Sequence, residues 1–260
     1  MSSQNSSYFS KIDRAIKLLG LSGKLVDLAL PFLCLFFIPY ALYHALILAP
    51  GEKVMGEVQR ILYFHVGSAI ASYVMLGVLF VSSVCYLVFR DMTFNALSQA
   101  SASVSLLFSS IVLATGMLWG YSSWNTWWNW EPRLVSVLVL WVFLIMYSYI
   151  QGIKFTSGDQ GKAVISSVIG ILCAIQVPIV IFSIKLLDRT QQLHPEVVAT
   201  QGLTEAGYKI ALLFGNIAMI LLSLWICRIC YRRNMLLIKI RDIKRKSLIE
   251  RFSSEDSKEK

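Results

Sequence analysis

The hydrophobic residues of this chain fall into six long runs that are separated by shorter polar segments. The runs cover about residues 25–48, 60–89, 101–118, 134–150, 163–187 and 209–230. A helix needs about 20 apolar residues to cross the hydrocarbon core of a bilayer, so these runs predict six membrane spans. The first run is too long for the apolar part of a signal peptide and lacks a small-residue cleavage site, so it is predicted to be a span. The sequence therefore predicts an all-α integral membrane protein with six transmembrane helices.

Three regions follow from this pattern: a cytoplasmic N-terminal segment (1–24), a six-span membrane domain (25–230) and a basic cytoplasmic tail (231–260). Two polar or aromatic segments of the membrane domain are expected on its external face. One is a Trp-rich segment (119–133), which is predicted to be an amphipathic helix or a loop. The other is a loop (188–208) between the fifth and sixth spans.

The distribution of Lys and Arg predicts the orientation. With six spans both termini lie on one side, and six of the 24 basic residues would face the other side: Lys53, Arg60, Arg133, Lys185, Arg189 and Lys209. The other eighteen share the side of the termini, which the positive-inside rule makes cytoplasmic. In a bacterium with two membranes, the chain would then lie in the inner membrane, with the Trp-rich segment facing the periplasm.

Composition excludes several classes of protein. Hydrophobic residues make up 56% of the chain and charged residues only 15%, and the mean hydropathy is +0.63. The net charge of +9 is concentrated after Cys227, which fits the cytoplasmic edge of a membrane rather than a nucleic-acid surface. The five Cys lie in or beside hydrophobic runs, so no disulfide framework is expected.

Five of the seven Trp lie within twelve residues, at Trp119, Trp124, Trp127, Trp128 and Trp130. If this segment is helical, Trp124, Trp127, Trp128 and Glu131 share one face, because residues three and four apart are neighbours on a helix. One interpretation is an aromatic belt that anchors a helix end at the lipid headgroups. The density of indole rings favours a docking surface for a flat apolar ligand.

All three histidines are predicted to lie near the external face. His65 sits about five residues into the second span, where an ionisable side chain is a functional candidate, although a helix-packing His is the alternative. His194 precedes Pro195 in the last external loop and could equally be an ordinary loop residue. His44, near the end of the first span, is interpreted as a packing residue.

Two imidazoles beside an aromatic surface suggest a porphyrin, which is flat and apolar on both faces and carries two propionates at one edge. Imidazoles can occupy both axial positions of the iron. Arg60 and Arg133 lie at the external ends of the second and fourth spans, where guanidinium groups could pair with propionates. Ordinary anchoring at the membrane interface is the alternative for both arginines.

These residues resemble the tryptophan-rich signature of the haem-handling proteins of cytochrome c assembly, and in particular the six-span haem exporter protein C family. The matching positions are Thr115-Gly116, Trp119-Gly120 and Trp124-x-Thr126-Trp127-Trp128-x-Trp130-Glu131-x-Arg133-Leu134. The segment Arg60–Val66 resembles the family's entry from arginine to histidine at the second span. His194 matches the second histidine of the family by its place in the topology. The resemblance covers about residues 60–194.

The resemblance implies a protein that handles haem rather than an enzyme, with no catalytic residue assigned. Haem b would be a transiently bound cargo, held on the external face with His65 and His194 as axial ligands. Trp119, Trp124, Trp127, Trp128 and Trp130 would form the platform, with Glu131 at its edge and Arg60 and Arg133 as candidates for the propionates. The implied partners are a membrane-tethered periplasmic haem chaperone, an ATP-binding-cassette (ABC) ATPase and permease pair, and a small single-span subunit.

Some positions depart from the family pattern, which usually has Asp at the position of Glu131 and Gly at the position of Asn125. Pro132 brings the tract closer to the larger haem lyases and synthases, which remain an alternative although they are longer and have more spans. A membrane b-type cytochrome is a second alternative, but three His near one surface favour transient holding. A small permease is a third, but the sequence shows no internal repeat.

Overall fold

The computed structural model describes the backbone of residues 2–51, 56–153, 158–183 and 206–256, and the side chains of residues 23–51, 56–153, 159–183 and 206–248. The described residues form six long helices and hold no β-strand. The helices are α1 (Ser2–Tyr43), α2 (Ile61–Phe89), α3 (Met92–Trp124), α4 (Pro132–Gly152), α5 (Gly158–Phe182) and α6 (Ala206–Asp256). A π-helical turn (His44–Leu48) follows α1, and a 3-10 turn (Glu57–Arg60) leads into α2.

The described residues contain six helical stretches that are long and apolar enough to cross a membrane, and two of them include the π-helical or the 3-10 turn beside the α-helix. These stretches are Gly23–Leu48, Glu57–Phe89, Met92–Trp124, Pro132–Gly152, Asp159–Phe182 and Ala206–Leu248. The prediction of six spans in an all-α membrane protein is therefore confirmed.

The ends of two helices are set by capping residues rather than by hydropathy. The third helix begins nine residues before the predicted start of its span, because the Asp91 side chain accepts a hydrogen bond from the Thr93 N–H at 2.8 Å and caps it. The fourth begins at Pro132, whose fixed φ and missing N–H suit the first position of a helix.

Consecutive helices run in opposite directions, so the six ends that are connected by the loops after α1, α3 and α5 lie together. We call this the aromatic end, because it holds the Trp-rich segment. Hydrogen bonds join its elements: Arg60 Nη1 to the Ala45 carbonyl (2.7 Å), Tyr208 Oη to the Gly51 carbonyl (3.3 Å), and Ser136 Oγ to Ser183 Oγ (3.5 Å).

The opposite end of the bundle holds the start of the first span and the loops after α2 and α4. We call it the basic end, because the Lys- and Arg-rich part of α6 lies there. Its contacts are Arg228 Nε to Asp27 Oδ1 (2.7 Å), Asn234 Nδ2 to the Ala96 carbonyl (3.1 Å), and Arg241 Nη1 to Asp159 Oδ2 (2.7 Å). The sixth helix passes the predicted start of the basic tail at residue 231 without a break.

The second helix lies at the centre of the bundle and packs against α3, α5 and α6. Its contact with α3 is built largely from small side chains, which let helix backbones approach closely in a membrane. The buried serines of these two helices are Ser68, Ser72, Ser82 and Ser83 on α2, and Ser98, Ser101, Ser105 and Ser109 on α3. This close pairing brings the N-terminal turns of α2 against the last turns of α3, which is where the candidate site lies.

Candidate functional site

The Trp-rich segment is divided between the end of α3 and a loop. Helix α3 ends at Trp124, and Asn125 adopts a left-handed conformation with φ of 55°, from which its N–H donates to the Tyr121 carbonyl at 2.9 Å. Asn tolerates this conformation better than most residues do, so it is a suitable helix terminator. The loop alternative therefore holds for the residues between Asn125 and Pro132, and the single face that a helix would give across Trp124–Glu131 does not form.

The loop folds back against the helix that precedes it. A side-chain carbon at Gly120 would lie only 3.2 Å from the Thr126 carbonyl oxygen, so the absence of a side chain permits this approach. The Thr126 hydroxyl donates to the Trp128 carbonyl at 3.0 Å and holds the turn. Trp119 and Trp124 pack edge to face below it, with ring centroids 4.9 Å apart.

The five Trp differ in exposure: some are buried in the protein and others are open to its surroundings. Trp119 is 8% exposed, whereas Trp127 is 54% and Trp130 is 75% exposed. Trp127 stacks on Tyr121 with centroids 4.4 Å apart, and Trp130 meets Trp128 edge to face at 5.9 Å. Two of the five indoles are therefore presented to the surroundings, and Tyr121 supports one of them.

His65 faces α3 near the aromatic end and is partly buried. Its Nδ1 lies 3.0 Å from the Thr115 Oγ1. The Arg133 guanidinium, at the start of α4, is within electrostatic range of the His65 ring and of the Tyr73 hydroxyl. An imidazole and an arginine that are 68 residues apart in the sequence are therefore electrostatically coupled.

Arg60 lies on a different side of α2 from His65. It donates to the Ala45 carbonyl at 2.7 Å and forms an ion pair with Glu57. Five residues along a helix turn the side chain by about 140°, so Arg60 contacts the end of the first span while His65 contacts the third. The contacts give Arg60 a role in joining the first two spans, and its pairing with a propionate stays a prediction.

Glu131 is a buried carboxylate rather than one at an exposed edge, since only 7% of its surface is exposed. It precedes Pro132 at the start of α4, and its backbone carbonyl accepts a hydrogen bond from the Val135 N–H at 3.0 Å. A negative charge here is favoured by the positive end of the helix dipole. Trp128, in the same loop, has a buried indole N–H without a hydrogen-bond partner in the described part of the chain.

The other two histidines differ from His65 in what the structure shows of them. His44 packs between Tyr40 and Phe214, with ring centroids 4.5 and 5.7 Å away, which agrees with its interpretation as a packing residue. His194 lies outside the described residues, so its position as a ligand stays a prediction. The segment that contains it joins Ser183 to Ala206, and both of these residues are at the aromatic end.

The sequence pattern predicts no contact for two residues of this region. Thr115 belongs to the signature without a predicted partner, and Tyr121 is not predicted to support Trp127. The spacing carries no signal for the contact between His65 and Thr115, because it joins positions 50 residues apart. The contact of Tyr121 with Trp127 could have been predicted from the sequence. Tyr121 lies in the last turn of a helix, and a loop that folds back after the helix passes beside that turn.

Comparisons with known proteins agree on one family. The family described as Heme exporter protein C matches residues 8–246. A mitochondrial protein of Marchantia polymorpha, named as ccmC-like in cytochrome c biosynthesis, is 33% identical over 61% of this chain and 66% of its own length. The Heme exporter protein C of Bradyrhizobium diazoefficiens is 30% identical over 75% of this chain and 74% of its own. That of Escherichia coli K12 is 31% identical over 55% and 58%.

Proposed function

The chain belongs to the haem exporter protein C family, and from this we propose that it binds haem at the aromatic end of the bundle and passes it to a haem chaperone. In this proposal the protein serves haem export for cytochrome c maturation. Its role is to hold and hand over a cargo rather than to catalyse a reaction. Haem b is the form of the cargo that we propose.

The observation that carries the proposal is the His65 imidazole, which is held by Thr115 at the aromatic end and is electrostatically coupled to Arg133. An imidazole whose second nitrogen is held by a hydrogen bond is the usual form of a metal-binding histidine. A cationic side chain nearby suits the propionates, and exposed indoles suit the flat apolar faces of the porphyrin. The residues present therefore fit the chemistry of haem.

The predicted ligands, arginines and tryptophans each take a role in this proposal. His65 and His194 are the axial ligands of the iron, and Arg133 meets a propionate, with Arg60 as the second candidate. Trp127 and Trp130 face the porphyrin or the chaperone, because they are exposed. Trp119, Trp124 and Trp128 build the support beneath them.

The orientation and partners complete the proposal. We place the protein in the bacterial inner membrane with both termini in the cytoplasm, because most of its basic residues lie at the basic end. The aromatic end then faces the periplasm, where a membrane-tethered haem chaperone could reach it. An ABC ATPase and permease pair and a small single-span subunit are the other proposed partners.

The visible spectrum of the purified protein tests this proposal. We expect haem to co-purify, and His65→Ala or His194→Ala to lower its amount at least tenfold or to change its spectrum, with partial recovery on addition of imidazole. His44→Ala is the matched control, since His44 packs against Phe214, and it should retain haem. Normal haem content in the variant lacking both His65 and His194 would reject the proposal.

A further inference from the structure

We propose that Thr115 is a positioning residue that fixes the tautomer of His65 and makes Nε2 the nitrogen that binds iron. The inference rests on the proposed function, because it concerns how one of the proposed ligands is held. It assigns a role to a hydroxyl that lies on a different helix from the histidine. Its structural part can be tested without haem.

The hydrogen bonds around Thr115 decide which group donates. The Thr115 Oγ1 lies 2.6 Å from the Ile111 carbonyl oxygen, 3.3 Å from the Val112 carbonyl oxygen and 3.0 Å from His65 Nδ1. His65 also has a backbone hydrogen bond to Val112. A hydroxyl has one proton, and a carbonyl oxygen can only accept. If the hydroxyl proton pointed to His65, two oxygens would face each other at 2.6 Å with no proton between them, in an apolar span where such a contact is costly. The hydroxyl therefore donates to Ile111, and Nδ1–H of His65 donates to the hydroxyl.

This arrangement determines the chemistry of the ring. A neutral imidazole that carries its proton on Nδ1 has its lone pair on Nε2. Metal-binding histidines commonly donate the other N–H to a fixed acceptor, which sets the tautomer and the ring orientation. Thr115 would fill this role from the facing helix, so the register of α3 against α2 sets the direction of the lone pair.

Gly116 supports the same ring from a second direction. A side-chain carbon at this position would lie 3.2 Å from His65 Cε1 and 3.8 Å from Nδ1. The first distance is shorter than ordinary van der Waals contact, so the ring would have to move. Thr115 thus supplies the hydrogen-bond acceptor for the His65 ring, and the neighbouring Gly116 leaves the space that this ring occupies.

The tautomer can be measured by ¹⁵N NMR on the haem-free full-length protein labelled at histidine, with the His65 signals assigned from their loss in His65→Gln. We expect wild-type His65 to carry its proton on Nδ1. Thr115→Ser keeps a hydroxyl and should keep this tautomer, whereas Thr115→Val should change it to Nε2–H or to a mixture. Ser103→Ala is the control, because the Ser103 hydroxyl donates to the Gln99 carbonyl of its own helix, its one hydrogen bond within the described residues. An Nε2–H tautomer in the wild type, or no change in Thr115→Val, overturns the proposal.

Haem binding gives the second readout. Loss of the group that holds a ligating histidine typically costs about 10- to 100-fold in affinity. We expect this loss in Thr115→Val, with Thr115→Ser within about threefold of the wild type and Ser103→Ala unchanged. If His65→Ala leaves haem binding intact, the ligand assignment in the proposed function fails, while the NMR result still decides the tautomer. If His65→Ala loses haem but Thr115→Val keeps both its affinity and its tautomer, only the positioning role fails.

Gly116→Ala tests the space for the ring without removing the hydroxyl. We expect weaker haem binding, by up to about tenfold, because the ring shifts while Thr115 still accepts its hydrogen bond. Gly77→Ala on α2 is the matched control, since a side-chain carbon there meets nothing within 4 Å. Equal haem affinity in the two Ala variants would show that Gly116 makes no room for the imidazole.

Discussion

Trp127 stacks on Tyr121 with ring centroids 4.4 Å apart and 12° between the ring planes. This contact joins the loop after α3 to the last turn of that helix. The same tyrosine accepts, through its backbone carbonyl, the hydrogen bond from Asn125 that ends the helix. The position of the exposed indole is therefore linked to the residue that terminates α3.

Removal of the Tyr121 ring should leave Trp127 without its support. A stacked aromatic pair is worth about 0.5–1.5 kcal/mol beyond the area it buries, so Tyr121→Ala should weaken haem retention by roughly 2- to 10-fold. Tyr121→Phe keeps the ring and should bind haem like the wild type. Tyr149→Ala is the control. It removes another exposed tyrosine, near the C-terminal end of α4 and away from the aromatic end, and should have no effect on haem retention in the purified protein. Equal haem content in Tyr121→Ala and Tyr149→Ala would contradict this role.

Trp119 and Trp130 should differ in what their loss affects. Trp119 is buried at the end of α3, and replacing it with Ala should lower the free energy of unfolding by about 3–5 kcal/mol. Trp130 is 75% exposed, so Trp130→Ala should leave stability within about 0.5 kcal/mol of the wild type and weaken haem retention instead. Chemical unfolding in detergent and the haem spectrum measure the two effects. A stable Trp119→Ala protein would show that this indole does not support the loop.

Hydropathy could predict the number of spans, because a span must be apolar over a fixed length. It could not predict where the helices end, since Asp91 and Pro132 set those ends through hydrogen bonds and backbone geometry. The third helix therefore includes nine residues that the hydrophobic pattern leaves out.

The sequence suggests the residue types of the candidate site but does not predict their arrangement. The signature identifies the Trp, His and Arg positions, whereas the helical or loop state of the segment depends on the left-handed backbone of Asn125. The contact of His65 with Thr115 depends on the register of two packed helices. No local pattern encodes that register, because it results from the fit of many small side chains.

The ion pair between Asp27 and Arg228 should matter more than a similar pair on the surface. Both groups are about three-quarters buried, and Arg232 also contacts the carboxylate, at 3.2 Å. Loss of one partner leaves a partly buried charge, so Asp27→Asn should destabilise the protein by about 1–3 kcal/mol. Asp159→Asn is the control, because the 2.7 Å pair of Asp159 with Arg241 is about half exposed and should contribute less than about 1 kcal/mol. Equal losses of stability in the two variants would contradict this ranking.

Reagent access tests the orientation of the two ends. With native cysteines replaced, Asn129→Cys at the aromatic end should react with a membrane-impermeant maleimide in intact spheroplasts. Lys239 is exposed on α6 at the basic end. Its Cys variant, Lys239→Cys, should react only after the membrane is permeabilised. The positive-inside rule predicts this difference, because most basic residues are at the end that holds the termini. The reverse pattern of labelling would invert the topology and move the proposed haem site to the cytoplasmic face.

Glu131 is the sharpest test of how the loop and the cargo are connected. Its carboxylate is only 7% exposed, so it is poorly placed to contact a chaperone directly and better placed to hold the junction of loop and helix. Glu131→Gln keeps the shape and removes the charge. Since a negative charge at a helix N-terminus contributes up to about 2 kcal/mol where it is partly buried, we expect haem retention to fall by roughly tenfold, and transfer to fall with it.

A reconstituted assay that follows haem on both proteins separates the possible roles of this carboxylate. Glu57→Gln is the control, because Glu57 is a carboxylate at the same end whose side chain is 72% exposed, and it should change haem retention by less than about twofold. Normal haem retention with impaired transfer in Glu131→Gln would assign the carboxylate to the chaperone instead. Normal retention and normal transfer would remove Glu131 from the site. The negative charge at the start of α4 would then only stabilise the N-terminus of that helix.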